Sequence, residues 1–275
     1  MSTARPGLPA PTLRFVNRLA GEFGPLVAGC DEVGRGALAG PVTVGVVVVD
    51  ARRVKTRTVL RDSKLLTPER RVELVPLVRT WAVGSAVGHA SAEEIDALGL
   101  MGALRLAGVR ALEVLGAEGI IPDAVHLDGN YDWLARGGQA SLFEEAVAIP
   151  TVPVRTTIKA DLKCQAVAAA SILAKVARDE IMVGHGLADP RYGWAVNKGY
   201  ATPDHRAALA QFGPSSLHRL SWHLGTGLPP EDALGMIEAL GTDAELEPYP
   251  ELEPDAALGL DDVHADGGAP AGGGR

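Results

Sequence analysis

The chain has 275 residues, 47% hydrophobic and 22% charged, enough for one domain with a sizeable core. Its apolar runs, such as Val42–Val49 and Ala166–Ala170, stop far short of the roughly 20 residues a membrane helix needs, and Met1–Pro11 lacks the continuous apolar stretch of a signal peptide. A cytoplasmic protein without a membrane span is expected, and its two cysteines, Cys30 and Cys164, exclude a disulfide framework.

The formal net charge of −8 argues against a polyanionic partner only until it is divided along the chain. Pro229 to Arg275 holds twelve acidic residues against Arg275 alone, a net of −11, which leaves +3 on the rest. That tail, rich in Pro, Gly and Ala, has little to bury and is expected to be disordered, with a short helix possible over Glu231–Leu240. Residues 1–24 are read as a partly disordered N-terminal extension and 25–228 as the catalytic body.

In chain order, Leu26–Gly29 is a short apolar run ending at Cys30, Asp31 and Glu32. After a glycine-rich turn, Val42–Val49 is a strongly β-branched strand, so two successive antiparallel strands are predicted. Thr67 caps a helix with Pro68 at its first position and Val72, Val75 and Val78 at helical spacing. Trp81–His89 alternates as a third strand, and Ser91 with Glu94 forms a capping-box pattern. Met101–Leu115 reads as an amphipathic helix through Leu104, Ala107, Ala111, Val114 and Leu115. Ala124–Leu127 is a short buried strand that delivers Asp128, and Thr151–Ile158 is the last strand. Asp161 then precedes an alanine-rich helix reaching about Met182, and Thr202 and Pro203 open another that Gly213 and Pro214 end. The order predicts an α/β fold, a mixed sheet with helices on both faces.

Four acids stand out by position: Asp31 and Glu32 at the end of the first strand, Asp128 at the end of a later one, and Asp161 near a helix start. Carboxylates at strand ends converge over the crevice where α/β sheets bind ligands, and such oxygens suit a hard cation like Mg²⁺. Taken singly, each acid is more often a solvated loop residue. Adjacent strand residues point to opposite faces, so Asp31 and Glu32 serve one site only if the backbone departs from regular geometry, which Gly34 and Gly36 would permit.

Gly34, Arg35 and Gly36 allow close approach to a nucleic-acid backbone and offer a phosphate contact, and a simple tight turn uses the same residues equally well. Lys159, Lys163, Lys175, Arg178, Lys198 and Arg219 form a basic group in the second half. Ser171, Lys175 and Arg178 share one helix face, which can reach a phosphate or lie solvated. Tyr200 can stack on a sugar or base or pack against the core.

Seven segments resemble the type II ribonuclease H family, in that family's order: AGCDEVGRGALAGP from Ala28 to Pro41, Asp62-Ser63-Lys64, LDGN from Leu127 to Asn130, Lys159-Ala160-Asp161, AAASILAKVARD from Ala168 to Asp179, NKGY from Asn197 to Tyr200, and HRLS from His218 to Ser221. The resemblance implies an RNase H-like fold, a mixed central β-sheet flanked by helices with a C-terminal helical extension. It implies a metal site of Asp31, Glu32, Asp128 and Asp161 holding two Mg²⁺ or Mn²⁺ ions. Gly34, Arg35 and Gly36 would then contact the 2′-hydroxyl and backbone at a ribonucleotide, Tyr200 would stack on the following deoxyribose, and Lys64, Ser171 and Lys175 would contact substrate. The implied substrates are RNA·DNA hybrids and ribonucleotide-containing duplex DNA, cut to 3′-hydroxyl and 5′-phosphate ends by a monomer.

Arg136–Glu145 reads as an insertion, and the tail from Pro229 lies outside the resemblance. The related type III ribonucleases H carry an N-terminal substrate-binding domain and a glutamate as fourth acid; here about 25 residues precede the first strand and the fourth acid is Asp161. A catalytically dead binding protein on the same fold would not need all four acids, and a scaffold working through its tail would lose function on truncation at Pro229.

Overall fold

The computed structural model describes residues 10–135 and 151–224. The acidic tail with its possible helix at 231–240, the insertion at 136–145 and the first nine residues lie outside the described residues.

Five strands form one mixed sheet in the order β3-β2-β1-β4-β5. Strands β1 (Leu26–Val33), β2 (Val42–Asp50) and β3 (Gly84–Ala90) are antiparallel neighbours. Strands β4 (Ala124–Asp128) and β5 (Val154–Thr157) continue the sheet in parallel, β4 against β1 and β5 against β4. The antiparallel pairing of the first two strands is as predicted, and β2 is buried along its whole length.

Each face is covered by a long helix. On one side α3 (Ala92–Ala117) packs over Ala28, Cys30, Val44, Val46 and Leu127. Its N-terminus is the predicted capping box of Ser91 and Glu94, and Gly99 interrupts it with φ 69°. On the other side α4 (Gln165–Ala188) packs over Val27, Val47 and Val49. Its alanines let backbone meet backbone: a Cβ on Gly29 or Gly45 would collide with main-chain atoms of Ala166 or Ala170, so β1 and β2 need glycine there. Helices α5 (Trp194–Asn197) and α6 (Pro203–Phe212) build a small third core with Leu38, Ala39 and Met182.

One element is added and two expectations change. Residues 14–23, read as part of a partly disordered extension, form α1 (Arg14–Phe23), whose Val16 and Leu19 are buried in the α4-side core. In α2 (Pro68–Trp81) the buried side is Arg71, Leu74 and Val78, while Val72 is 54% exposed. Trp81 ends this helix, so β3 begins three residues later than predicted.

Candidate active site at the β1/β4 edge

The parallel pairing of β1 with β4 ends at Cys30 and Leu127. Beyond that point the two strands no longer share hydrogen bonds, and Asp31 and Asp128 stand at the opening. Asp161 enters from a 3₁₀ turn, Ala160–Leu162, which follows Lys159 in the left-handed conformation at φ 56°. Carboxylate oxygens of Asp31, Asp128 and Asp161 lie within 4.8 Å of one another.

Each of these acids is positioned by backbone. Asp31 Oδ1 accepts from the Glu32 N–H at 2.8 Å, Asp128 Oδ1 from the Ala160 N–H at 2.6 Å, and Asp161 Oδ1 from the Leu162 N–H at 2.9 Å. Burial pushes the pKa of Asp31 well up, and the charges of Glu32, Asp128 and Asp161 push it further. Asp161 is raised to about 7, first by burial and then by Asp62 and Asp128. Asp128 is raised by burial as well. Three carboxylates held this close resist full ionisation unless a cation joins them.

Glu32 is placed differently. The strand does not bulge: β1 stays in register with β2 through Asp31↔Gly45, Glu32↔Val44 and Val33↔Thr43. Glu32 therefore emerges on the face opposite Asp31. Its Oε1 accepts from Arg35 Nη1 at 3.0 Å, while its Oε2 is buried without a hydrogen-bond partner. Burial raises its pKa, and Arg35 opposes the shift.

Around the acids, Asp62 caps a short turn by accepting from the Lys64 N–H at 2.8 Å, and the Lys64 charge lowers the pKa values of Asp128 and Asp161. Ser171 is buried on α4; its hydroxyl meets Ser63 Oγ at 2.7 Å and hydrogen-bonds Asp31, lowering that pKa. Lys175 pairs with Asp179 at 2.8 Å, with its Nζ 5.7 Å from the centre of the Tyr200 ring. The half-buried Tyr200 ring also lies 5.3 Å from the Arg178 guanidinium.

Arg178 and Arg219, read from the sequence as part of a basic group, do not face solvent or a phosphate. Both are fully buried and bond main-chain carbonyls: Arg178 those of Ala39, Pro41 and Lys198, Arg219 those of Gly34, Arg35 and Gly40. His218, which opens the matching run to Ser221, and His205, which lies in no matching run, are buried as well, and the His205 ring bonds the Tyr200 carbonyl. Arg178, Arg219 and His218 carry a signal only as members of the matching runs, since nothing local marks a buried arginine.

The chain is also similar to known proteins. The family model described as Ribonuclease HII matches residues 28–224. A protein named Ribonuclease HII from Streptomyces avermitilis is 50% identical over 204 residues, 74% of this chain and 79% of that one. The crystal structure of the ribonuclease H2 from Pyrococcus horikoshii superposes with a TM-score of 0.53 at 27% identity, covering 72% of this chain and 94% of the other. The ribonuclease HII of Archaeoglobus fulgidus, solved in complex with PCNA, gives 0.55 at 26% identity over 75% and 98%. With the acids gathered at one sheet opening and the family match spanning the described body, the chain belongs to the ribonuclease HII family, endoribonucleases that act on the RNA of RNA·DNA hybrids.

Proposed function

We propose that this enzyme also incises duplex DNA on the 5′ side of a single embedded ribonucleotide, leaving 3′-hydroxyl and 5′-phosphate ends, and that it does so with two Mg²⁺ or Mn²⁺ ions. The carrying observation is the convergence of three buried carboxylates whose oxygens lie within 4.8 Å. Their raised pKa values are those of acids assembled for a cation, and the unpartnered Glu32 Oε2 supplies a further oxygen at the same strand end. Asp31, Asp128 and Asp161 would hold the metal directly, and Glu32, which leaves the strand on the other face but whose charge is felt at Asp31, would join them by reaching round the strand end. Divalent ions bound there would supply an activated water and stabilisation of the charge that develops on the phosphodiester.

The chain's own residues do the rest. Gly34, Arg35 and Gly36 contact the ribonucleotide and its 2′-hydroxyl, the group that separates RNA from DNA. Tyr200 stacks on the next sugar, and Lys175 and Lys64 meet the phosphates. Ser171, buried against Ser63 and Asp31, serves by orienting Asp31. The enzyme acts as a cytoplasmic monomer through a body of residues 25–228; α1 packs onto that body. No helix among the described residues is long and apolar enough to cross a membrane.

The test is cleavage of a duplex carrying one ribonucleotide in DNA, with Mg²⁺, comparing the wild type with Asp31→Asn and an all-DNA control. A single cut 5′ to the ribonucleotide, absent from both comparisons, is the expected result. No cut with Mg²⁺ or Mn²⁺ would leave hybrid cleavage as the whole activity.

A further inference from the structure

Two segments far apart in sequence make up the surface assigned above to the ribonucleotide and its neighbour: the loop from Gly34 to Pro41, and the turn from Lys198 to Tyr200. They are joined by main chain. The N–H groups of Leu38 and Ala39 both donate to the Gly199 carbonyl, and a third segment braces the loop, with Gly40 N–H donating to Leu217 O at 2.8 Å and Arg219 N–H to Leu38 O at 3.0 Å. Of the two buried guanidiniums, Arg178 spans the joint and Arg219 closes the loop on itself. Arg178 donates from Nε to Pro41 O at 2.8 Å, from Nη1 to Lys198 O at 2.9 Å and from Nη2 to Ala39 O at 3.2 Å. Arg219 donates from Nη2 to Gly34 O at 2.6 Å, from Nη1 to Arg35 O at 2.7 Å and from Nε to Gly40 O at 3.3 Å.

From this arrangement we infer that Arg178, by joining loop to turn, and Arg219, by fixing the shape of the loop, are positioning residues that hold the Gly34–Gly36 loop and Tyr200 as one rigid reader with a fixed separation, so that the enzyme recognises the step from a ribonucleotide to a deoxyribonucleotide. The inference rests on the substrate contacts proposed above. A planar guanidinium fork can serve three carbonyls in fixed directions, which an ammonium cannot. Asp179 acts on Arg178 and Asp96 on Arg219 only as more distant charges, while the direct partners of both guanidiniums are neutral carbonyls, so two buried cations stand behind the loop and favour an anionic backbone in front of it. Gly34, at φ 88°, lies directly against Arg178, and a Cβ there would collide with it, which ties the loop's shape to the clamp.

A single ribonucleotide offers one 2′-hydroxyl at one place, so a loop that shifts relative to Tyr200 loses its contact. A long hybrid offers a 2′-hydroxyl at every step, and a neighbouring register can replace the lost one. Loosening the clamp must therefore reduce cleavage of the single-ribonucleotide duplex more than cleavage of the hybrid. A merely structural role would reduce both equally.

The experiment measures kcat/KM on both substrates for the wild type, Arg219→Lys, Arg178→Lys, Tyr200→Ala and the double variant Arg219→Lys with Tyr200→Ala. The expected result is a loss of about tenfold or more in the single-ribonucleotide to hybrid ratio for each lysine variant, mainly through KM, and no further loss when Arg219→Lys is added to Tyr200→Ala. If Tyr200→Ala lowers the ratio and the lysine variants do not, the clamp is wrong and the substrate reading stands. If Tyr200→Ala leaves the ratio unchanged, the substrate reading itself has failed. Because the lysine variants can misfold, native-state hydrogen exchange on the wild type gives an independent check: the loop amides of Leu38, Ala39 and Gly40 and the turn amides of Gly199 and Tyr200 should open in one cooperative step, and separate opening of loop and turn would overturn the rigid reader.

Discussion

Asp128 holds the turn that carries Asp161, its Oδ1 accepting the Ala160 N–H at 2.6 Å across 32 residues of chain. One carboxylate thus has two tasks, offering oxygen to the acidic cluster and fixing where the last acid enters it. An amide oxygen can do the second but lacks the charge for the first. Asp128→Asn should therefore abolish cleavage while the metal-free protein melts at or above the wild-type temperature, because like-charge repulsion is relieved. Asp128→Ala should be inactive and also less stable by about 1–3 kcal/mol, since the Ala160 N–H loses its partner. Melting in chelator separates the two; equal melting temperatures would refute the positioning task.

The raised carboxyls set a pH dependence with a definite sign. Asp161 has a folded pKa of about 7 against an ordinary 3.8, and Asp31 is also shifted well up. In that window the native state holds protons that the unfolded chain releases, so in chelator these groups make stability fall as pH rises from about 4 to 7. A divalent ion replaces those protons and binds the ionised form. The gain in melting temperature on adding Mg²⁺ should therefore be larger at pH 8 than at pH 5, and a concentration of about 100 Kd should contribute about 2.7 kcal/mol. An equal gain at both pH values would count against the cluster as the metal site.

Much of this was legible in the sequence because the signals are local. The β-branched run of Val42–Val49, the Ser91 and Glu94 box and the Thr67 cap are read from neighbours a few residues apart, and each appears where predicted. Helix α1 has no side-chain N-cap and no acid in its first turn, so it was missed although Val16, Leu19, Ala20 and Phe23 recur at helical spacing along the face that packs into the core. The expected irregularity at Asp31 and Glu32 does not occur; β4 stops pairing instead, which a single strand's sequence cannot reveal. The fate of Arg178 and Arg219 was equally hidden, since Gly34 O lies 185 residues before Arg219 and Ala39 O lies 139 before Arg178.

The buried histidines give a second pH dependence of opposite sign. His205 Nδ1–H donates to Tyr200 O at 2.9 Å, leaving Nε2 to accept from Trp194 Nε1–H at 3.2 Å and from His218 Nε2–H at 3.1 Å, while His218 Nδ1 accepts from the Ser215 N–H at 2.9 Å. This closed network has no place for an extra proton. Burial and the facing His205 lower the His218 pKa to about 4, and burial lowers that of His205. Below the ordinary 6.5 the unfolded chain takes up protons that the native state refuses, so stability is lost as pH falls from about 6.5 towards 4, by at most about 1.4 kcal/mol per pH unit for each histidine. His218→Gln should be less stable than the wild type at pH 7 but show a shallower decline below pH 6.5 in urea unfolding. A parallel decline would remove His218 from the pH response.

Gly29 sets the seam between β1 and α4. A Cβ at Gly29 would collide with the Ala166 carbonyl and the Val167 nitrogen, main-chain atoms that cannot rotate away, so the first turn of α4 must move. That turn directly follows the 3₁₀ turn carrying Asp161, and Asp31 lies two residues along the strand from Gly29. Gly29→Ala should cost about 1–3 kcal/mol through overpacking and also lower kcat, because the separation of Asp31 and Asp161 changes with the seam. Gly21→Ala is the matched control: it sits inside α1 with nothing near its added Cβ, and alanine there should add about 0.5–1 kcal/mol with no change in kcat. If Gly29→Ala lost stability while keeping full turnover, the seam would be a packing feature alone, without a share in setting the active-site geometry.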